Sequence, residues 1–245
     1  MLAIIQVGHV EASDRYIRNK VKAVEQAGMT AEVINLPEDC DTLDVLDAIW
    51  EVDNRVDCKA IMVQLPLPDR IDKEMVLRYI PWQKDIDGLN PDGRLVPLTP
   101  SAIMRWLNEE QKIDLAGKRV TILGRSDLVG KPLAVLMIDA GATVTVCNSK
   151  TEEWQRRQLC YTADIIVSAV GKPGVVPYDY VNTHTPKIVI DVGINRDAEG
   201  KLCGDVSPWA KATVEQNGGI CTPVPGGVGK WTVAELVHRL RVMEG

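Results

Sequence analysis

The sequence predicts an α/β protein of two lobes, each built on a largely parallel sheet. Three observations carry this. Short β-branched runs alternate with helical periodicity along the whole chain. Residues 111–117 interrupt the alternation and read as a linker. Beyond them, residues 120–147 form strand, glycine turn, helix and strand, the βαβ unit of about 30 residues whose first turn is a phosphate site. The expected lobes are residues 1–113 and 114–229, with a cleft between them and a closing helix, 230–245, returning to the first.

Each element follows from its own stretch. Residues 2–7 (Leu-Ala-Ile-Ile-Gln-Val) read as a strand. Ser13 is an expected N-cap for a helix to about Gly28, with Ile17, Val21 and Val24 at i, i+4 and i+7. Residues 31–36 form a strand and 42–55 a helix, and residues 60–65 are a strand ended by Pro66 and Pro68. A helix over 73–80 enters the proline-rich loop 81–100, and 101–110 is helical. After the linker, the strand 120–123 stops at Gly124-Arg125-Ser126. A helix starts near Gly130, with Pro132 suited to its first turn. Strands follow at 142–147, 165–170, 188–192 and 219–222. The last helix, 231–242, carries Val233, Leu236, Val237 and Leu240 on one stripe, which must be buried.

Composition bounds the function. With 245 residues, 45% hydrophobic and 25% charged, the chain is an ordinary globule, able to bury roughly 70% of its unfolded surface. A net charge of −6 argues against nucleic acid and anionic membranes, so an anionic ligand needs a local cluster of cations. The six cysteines form no C-x-x-C pair and the three histidines (His9, His184, His238) stand apart, so no metal site is expected. With no leader-like segment and no 18-residue apolar run, the chain reads as cytoplasmic and reduced.

Several stretches can carry chemistry. Gly124 and Gly130 bracket a turn that departs from G-x-G-x-x-G and can be a tight connection only. No acid occupies 144–150, where an NAD site usually holds one for the ribose hydroxyls. Ser149 and Lys150, with Arg125 across the turn, can instead take a 2′-phosphate, which favours NADP. Tyr16 and Lys20, four apart, share a helix face beside an apolar stripe, where partial desolvation would lower the lysine pKa. A surface pair is the plainer alternative. Gln64 near the end of a buried strand needs partners, from ligand or loop backbone. Lys84-Asp85-Ile86-Asp87-Gly88 puts two carboxylates in a loop and can equally be a turn. The stretch 222–229, with two prolines and three glycines, suits close approach to a ligand, or a hinge.

Taken together, Y-I-R-N-K at 16–20, V-Q-L-P-L-P at 63–68, K-D-I-D-G at 84–88, G-R-S-D-L-V-G-K-P at 124–132, D-V-G-I-N at 191–195, G-D-V at 204–206 and T-P-V-P-G-G-V-G at 222–229 resemble the methylenetetrahydrofolate dehydrogenase/cyclohydrolase family. The likeness covers nearly the whole chain, in the family's order. It implies a Rossmann-like NADP lobe beside a catalytic lobe, folate substrates, NADP as cofactor and a homodimer. By that resemblance Lys20 is the catalytic lysine, Tyr16 its neighbour over the folate, Gln64 the residue that tunes it and Asp87 the pterin anchor. Val63, Leu65, Pro225, Gly226, Gly227 and Gly229 join the folate site. Gly124, Arg125, Ser126, Ser149 and Ile194 become NADP contacts.

Four departures stand out. The family usually has a helical segment before the first strand. The loop after Gly93-Arg94-Leu95 is shorter than usual, and Leu98 replaces a cysteine. Asn148 precedes Ser149 where histidine is common. Lys230-Trp231 follows Gly229 in place of Pro-Met. They keep open a dehydrogenase with weak or lost cyclohydrolase activity, and a non-catalytic binding subunit. A shikimate-type dehydrogenase would leave 222–229 unexplained.

Overall fold

The computed structural model describes residues 1–9, 11–182 and 187–244; His184 lies outside them. Two compact units are present: Met1–Leu98 with Val233–Gly245, and Thr99–Thr232. The expected boundary after residue 113 falls inside the second unit. The reason is packing: Ile103, Trp106, Leu107 and Leu115 are buried in that unit's core, so the 111–117 stretch is an internal connection.

In the first unit, strands β1 (Leu2–Val7), β2 (Ala31–Leu36) and β3 (Ala60–Val63) form a parallel sheet in the order β2-β1-β3. All six residues of the central β1 are buried, as expected of a parallel strand covered on both faces. Alternation sorts its side chains. Leu2 and Ile4 join Ala60 and Met62 of β3 on one face, against Ile17 and Val24 of α1 (Glu11–Gln26). Ala3, Ile5 and Val7 join Ile61 and Val63 on the other, against α2 (Thr42–Asp53) and α3 (Lys73–Tyr79). Helix α1 begins two residues before the expected cap, and Ser13 is buried within it. Asp41 and Asp44 close a capping box at the start of α2, satisfying otherwise orphaned amides.

Helix α4 (Leu98–Arg105) has its first residue in the first unit and the rest in the second, and continues as a π turn, Trp106–Glu110. The second unit's sheet joins β4 (Arg119–Leu123), β5 (Thr143–Cys147), β6 (Ile165–Ser168), β7 (Ile188–Asp191) and, after the short antiparallel pair β8 (Asn195–Arg196) and β9 (Leu202–Cys203), β10 (Ile220–Cys221). The order is β10-β7-β6-β4-β5, and the five strands are parallel. Val120 and Ile122 face a core with Leu133 and Met137 of α5 (Gly130–Asp139). Leu123 faces one with Cys160 of α6 (Glu153–Thr162) and Val214 of α7 (Pro208–Gln216). The chain reverses direction of winding between β4 and β6, so the crevice at their carboxyl ends is where such a sheet binds ligands.

Helix α8 (Val228–Glu244) closes the described chain. Val228 is buried in the second unit's core, and Trp231 stacks on Trp106 there, ring centroids 4.3 Å apart. Further on, Leu236 and Leu240 are fully buried with Leu2, Ile4 and Leu98 in the first unit. Among the described residues, no helix is long and apolar enough to cross a membrane.

Candidate functional site

In the first unit, α1 carries Lys20 to the carboxyl end of β3. Lys20 is buried (8% exposed), and its amine donates to the amide oxygen of Gln64 at 3.1 Å and to the Met62 sulfur at 3.1 Å. Met62 and Gln64 share a strand face, as residues two apart must. The Gln64 amide nitrogen donates to the Leu65 carbonyl at 2.7 Å, which fixes the amide so that its oxygen looks at Lys20. Burial pushes the Lys20 pKa below the ordinary lysine value; Asp87 opposes the shift by attraction. The lysine is therefore no surface residue, and sulfur is too weak an acceptor to replace lost water.

Asp87 arrives beside this pair because its loop is held to β3. Ile61 N–H donates to the Lys84 carbonyl at 2.7 Å, and Ile86 N–H to the Ile61 carbonyl. The two loop carboxylates differ sharply. Asp85 is buried and accepts from the Gly88 and Asn90 amides at 3.1 and 2.7 Å, so it builds the turn. Asp87's carboxylate makes no hydrogen bond to a described residue. Its pKa is raised by burial, against the pull of Lys20 and Arg239. Gly88 has φ of 69°, and a side chain there would collide with the Leu95 and Val96 carbonyls, so no larger residue fits. Behind Asp87, Arg239 of α8 donates to the Ile86 carbonyl at 3.2 Å and pairs with Glu235 at 3.0 Å, both buried. Neither residue carried a signal in the sequence beyond its helix position.

Tyr16 lies one turn before Lys20, half-buried, its hydroxyl pKa raised by burial. Val63 does not join this group. Its side chain is 1% exposed on the opposite sheet face, packed with α2 and α3, because it is one residue from Gln64 and alternation turns it away. Leu65 contributes its carbonyl.

In the second unit a cavity of about 450 Å³ opens at the ends of β4, β5 and β6. Gly124, Arg125, Ser126 and Ser149 line it, with Asn148, Arg156 and Lys172, and no acid among the lining residues. Gly124 has φ of 112°, and a side chain there would collide with the Ala169 carbonyl, so the phosphate turn lies tight against the loop after β6. The Ser126 hydroxyl accepts from the Val129 amide at 3.2 Å, at the entry to α5. Ile194 is exposed and does not line the cavity. A shallower groove of about 800 Å³ on α6 and the Tyr178–Tyr180 turn carries Glu152, Glu153 and Asp179, the wrong charge for a phosphate.

The loop on the cavity's far side is held by Asp205, which sequence reading passed over within G-D-V. Fully buried, it accepts from the Ser168 hydroxyl, the Val170, Gly171 and Lys172 amides and the Asn195 side chain, at 2.8–3.2 Å. Asp191 accepts from the Gly193, Asp205 and Val206 amides, and burial raises its pKa. Pro225, Gly226, Gly227 and Gly229 lie in the second unit at the entry to α8, where Gly227 is buried and Pro225 and Gly226 are exposed.

A parallel sheet with a cation-rich, acid-free cavity at its switch point defines a dinucleotide-binding unit, here paired in one chain with a unit holding a desolvated lysine beside a carboxylate. Family models match both parts: the tetrahydrofolate dehydrogenase/cyclohydrolase catalytic domain over residues 1–87 and its NAD(P)-binding domain over residues 97–244. The chain belongs to the tetrahydrofolate dehydrogenase/cyclohydrolase family. It is 46% identical to the bifunctional protein FolD of Methanospirillum hungatei over 97% of this chain and 85% of the relative. Its fold matches the bifunctional FolD methylenetetrahydrofolate dehydrogenase/cyclohydrolase of Campylobacter jejuni with a TM-score of 0.91 and 37% identity, over 99% of this chain and 86% of that one. It also matches the Trypanosoma brucei methylenetetrahydrofolate dehydrogenase-cyclohydrolase, solved with NADP and an inhibitor. There the TM-score is 0.90 at 34% identity, over 99% of this chain and 85% of that one.

Proposed function

We propose that this chain oxidises 5,10-methylenetetrahydrofolate to the 5,10-methenyl form with NADP, and hydrolyses that product to 10-formyltetrahydrofolate. The observation that carries this reading is the buried Lys20 amine, held by Gln64 and flanked by Asp87, in a chain of this family. NADP, when bound, supplies the acceptor for the hydride leaving the methylene carbon. The cavity of the second unit suits it: tight backbone at Gly124, three cations at the wall and no acid to repel a phosphate. Arg125 and Ser149 take the 2′-phosphate, and Gly124 and Ser126 approach the phosphates; Ile194, being exposed, is left to the nicotinamide side.

Hydrolysis of the methenyl cation adds water to the bridging carbon and breaks the bond to N5; the water oxygen gives up both its protons, one of which is returned to N5 while the other is released to solvent. Lys20, whose pKa is lowered by burial, can accept the water proton at Nζ and deliver it. Gln64 aims the amine, and Tyr16 covers the same face. Asp87's carboxylate, with no protein hydrogen bond among the described residues, is open to the nitrogen-rich edge of a pterin. Pro225–Gly229 offer backbone for the rest of the folate.

The deciding assay incubates the purified protein with methylenetetrahydrofolate and either NADP or NAD, following reduced cofactor and methenyl product separately. Reduction of NADP with transient methenyl product that decays faster than in buffer is expected. A methenyl form that accumulates and decays only at the buffer rate would leave a dehydrogenase alone. NAD equal to or better than NADP in kcat/KM would overturn the cofactor assignment. We also take the working form to be a cytoplasmic homodimer without nucleic-acid or membrane partners. The net charge of −6 supports the absence of nucleic-acid and anionic-membrane partners, and six free thiols, five of them buried, support a reducing compartment. The dimer rests on the family resemblance alone, and light scattering on the eluted protein tests it.

A further inference from the structure

Among the described residues, one buried side-chain polar atom lacks a hydrogen-bond partner: Nε of Arg156. Arg156 stands on α6, the helix that follows β5, and lines the same cavity as Arg125, Ser149 and Lys172. Cys147, the last residue of β5, lines the same cavity, and the positive charge of Arg156 favours its thiolate, so the guanidinium is in the neighbourhood of that strand end. The next residue, Arg157, is neutralised by Asp179 at 3.2 Å on the outer face. Among the described residues Arg156 has no such carboxylate. The helix thus sorts two adjacent arginines, one outward and paired, one inward and unpaired.

A guanidinium donor withdrawn from water without an acceptor is unfavourable, and a bound anion removes the penalty. In a doubly wound sheet the end of the second strand is where the ribose hydroxyls of a dinucleotide lie, and β5 is that strand. A planar, permanently charged fork suits a phosphate there better than a point charge. We propose that Arg156 is a further contact to the 2′-phosphate of NADP, acting from α6, and so sets the preference for NADP over NAD beside Arg125 and Ser149. The proposal rests on the NADP reading above.

Titration calorimetry on the purified protein tests it without turnover, using NADP, NAD, 2′,5′-ADP and 5′-AMP as ligands for the parent, Arg156→Gln and Arg156→Lys. In Arg156→Gln the dissociation constants for NADP and 2′,5′-ADP should rise about 10- to 100-fold, the worth of a charge-assisted hydrogen bond. Those for NAD and 5′-AMP should move less than about threefold, showing an intact pocket. Arg156→Lys should recover part of the loss. The ligand-free Arg156→Gln protein should melt no lower than the parent, because an unmet donor has been removed. If the parent prefers NADP and Arg156→Gln keeps that preference, Arg156 is not a determinant. If all four ligands weaken together with a fall in melting temperature, its role is structural and the assignment is wrong. A parent that binds NAD as well as NADP would overturn the cofactor reading itself, and this proposal with it.

Discussion

The amide of Gln64 is committed at both ends: its oxygen accepts from Lys20 at 3.1 Å and its nitrogen donates to the Leu65 carbonyl at 2.7 Å. Such a pair acts as one unit. Lys20→Met, which keeps the stem's packing, should slow methenyl hydrolysis by about 10²–10⁴-fold, the usual worth of a positioned acid–base group. Gln64→Ala should lower the same step by releasing the amine. The double variant should be no slower than Lys20→Met alone, since the second change removes the partner of a group already gone. Stopped-flow decay of methenyltetrahydrofolate measures all three. A Lys20→Met enzyme within about threefold of the parent would remove Lys20 from the mechanism.

The charge of Asp87 should be readable in the titration of Lys20. Burial lowers the lysine pKa and the Asp87 carboxylate raises it. In Asp87→Asn the raising influence is gone and the lowering one remains, so the pKa should fall further. Lys20 would then label with acetic anhydride at lower pH than in the parent, as followed by peptide mass spectrometry across a pH series. The linkage sign agrees: a lysine whose folded pKa is depressed makes the folded state bind fewer protons than the unfolded. Its contribution to stability therefore rises with pH between the two pKa values. Labelling that moves to higher pH in Asp87→Asn contradicts the pairing.

Asp205 predicts a loss of another kind. Its carboxylate gathers three consecutive loop amides and two side chains. Asp205→Ala should cost at least ~1.5–3 kcal/mol, the value of hydrogen bonds to a buried charge, seen as a lower urea midpoint with unchanged slope. Because the loop 170–172 forms a cavity wall, NADP and NAD should weaken together. A shift in the ratio between the two cofactors would mean that Asp205 reads the ribose and not the loop.

Trp231, one of the departures from the family's pattern, stacks on Trp106 with ring planes 17° apart. Its part is packing in the second unit's core. Trp231→Ala should cost about 3 kcal/mol, the low end of the range for buried tryptophan since the ring is only partly covered. Guanidinium unfolding monitored by circular dichroism checks this. An unchanged midpoint would show the stack to be incidental.

What could be read in advance followed the physics of each signal. The strand Leu2–Val7 was legible because a central parallel strand is covered on both faces and so apolar, and the partly buried edge strand Ala31–Leu36 by its β-branched Val33-Ile34; both lie where expected. Helix α6 went unread: Cys160 is its one fully buried residue, so no apolar stripe announces it. Helix α7 has a usable signature in Ser207-Pro208, an N-cap followed by proline at the first helical position. Lys20, Gln64 and Asp87 were named from the sequence, but their environment was not. Whether Lys20 is buried depends on Met62 and Gln64, more than 40 positions away in the chain. Which loop carboxylate is structural depends on where the Gly88 and Asn90 amides point. Arg156 and Asp205 act through contacts made by distant segments, and a single sequence carries no local mark of those.

The first unit is closed by a segment that ribosomes produce only after the whole of Thr99–Thr232. Until then Leu2, Ile4 and Leu98 lack the cover of Leu236 and Leu240. Order of synthesis and order of completion are therefore inverted: the second unit has its own contiguous chain and can finish early, while the first must wait with apolar surface open. Apolar surface left open in this way makes a nascent chain prone to aggregation. A fragment ending near residue 98 should be aggregation-prone, and the supply of 233–244 as a separate peptide is the natural remedy.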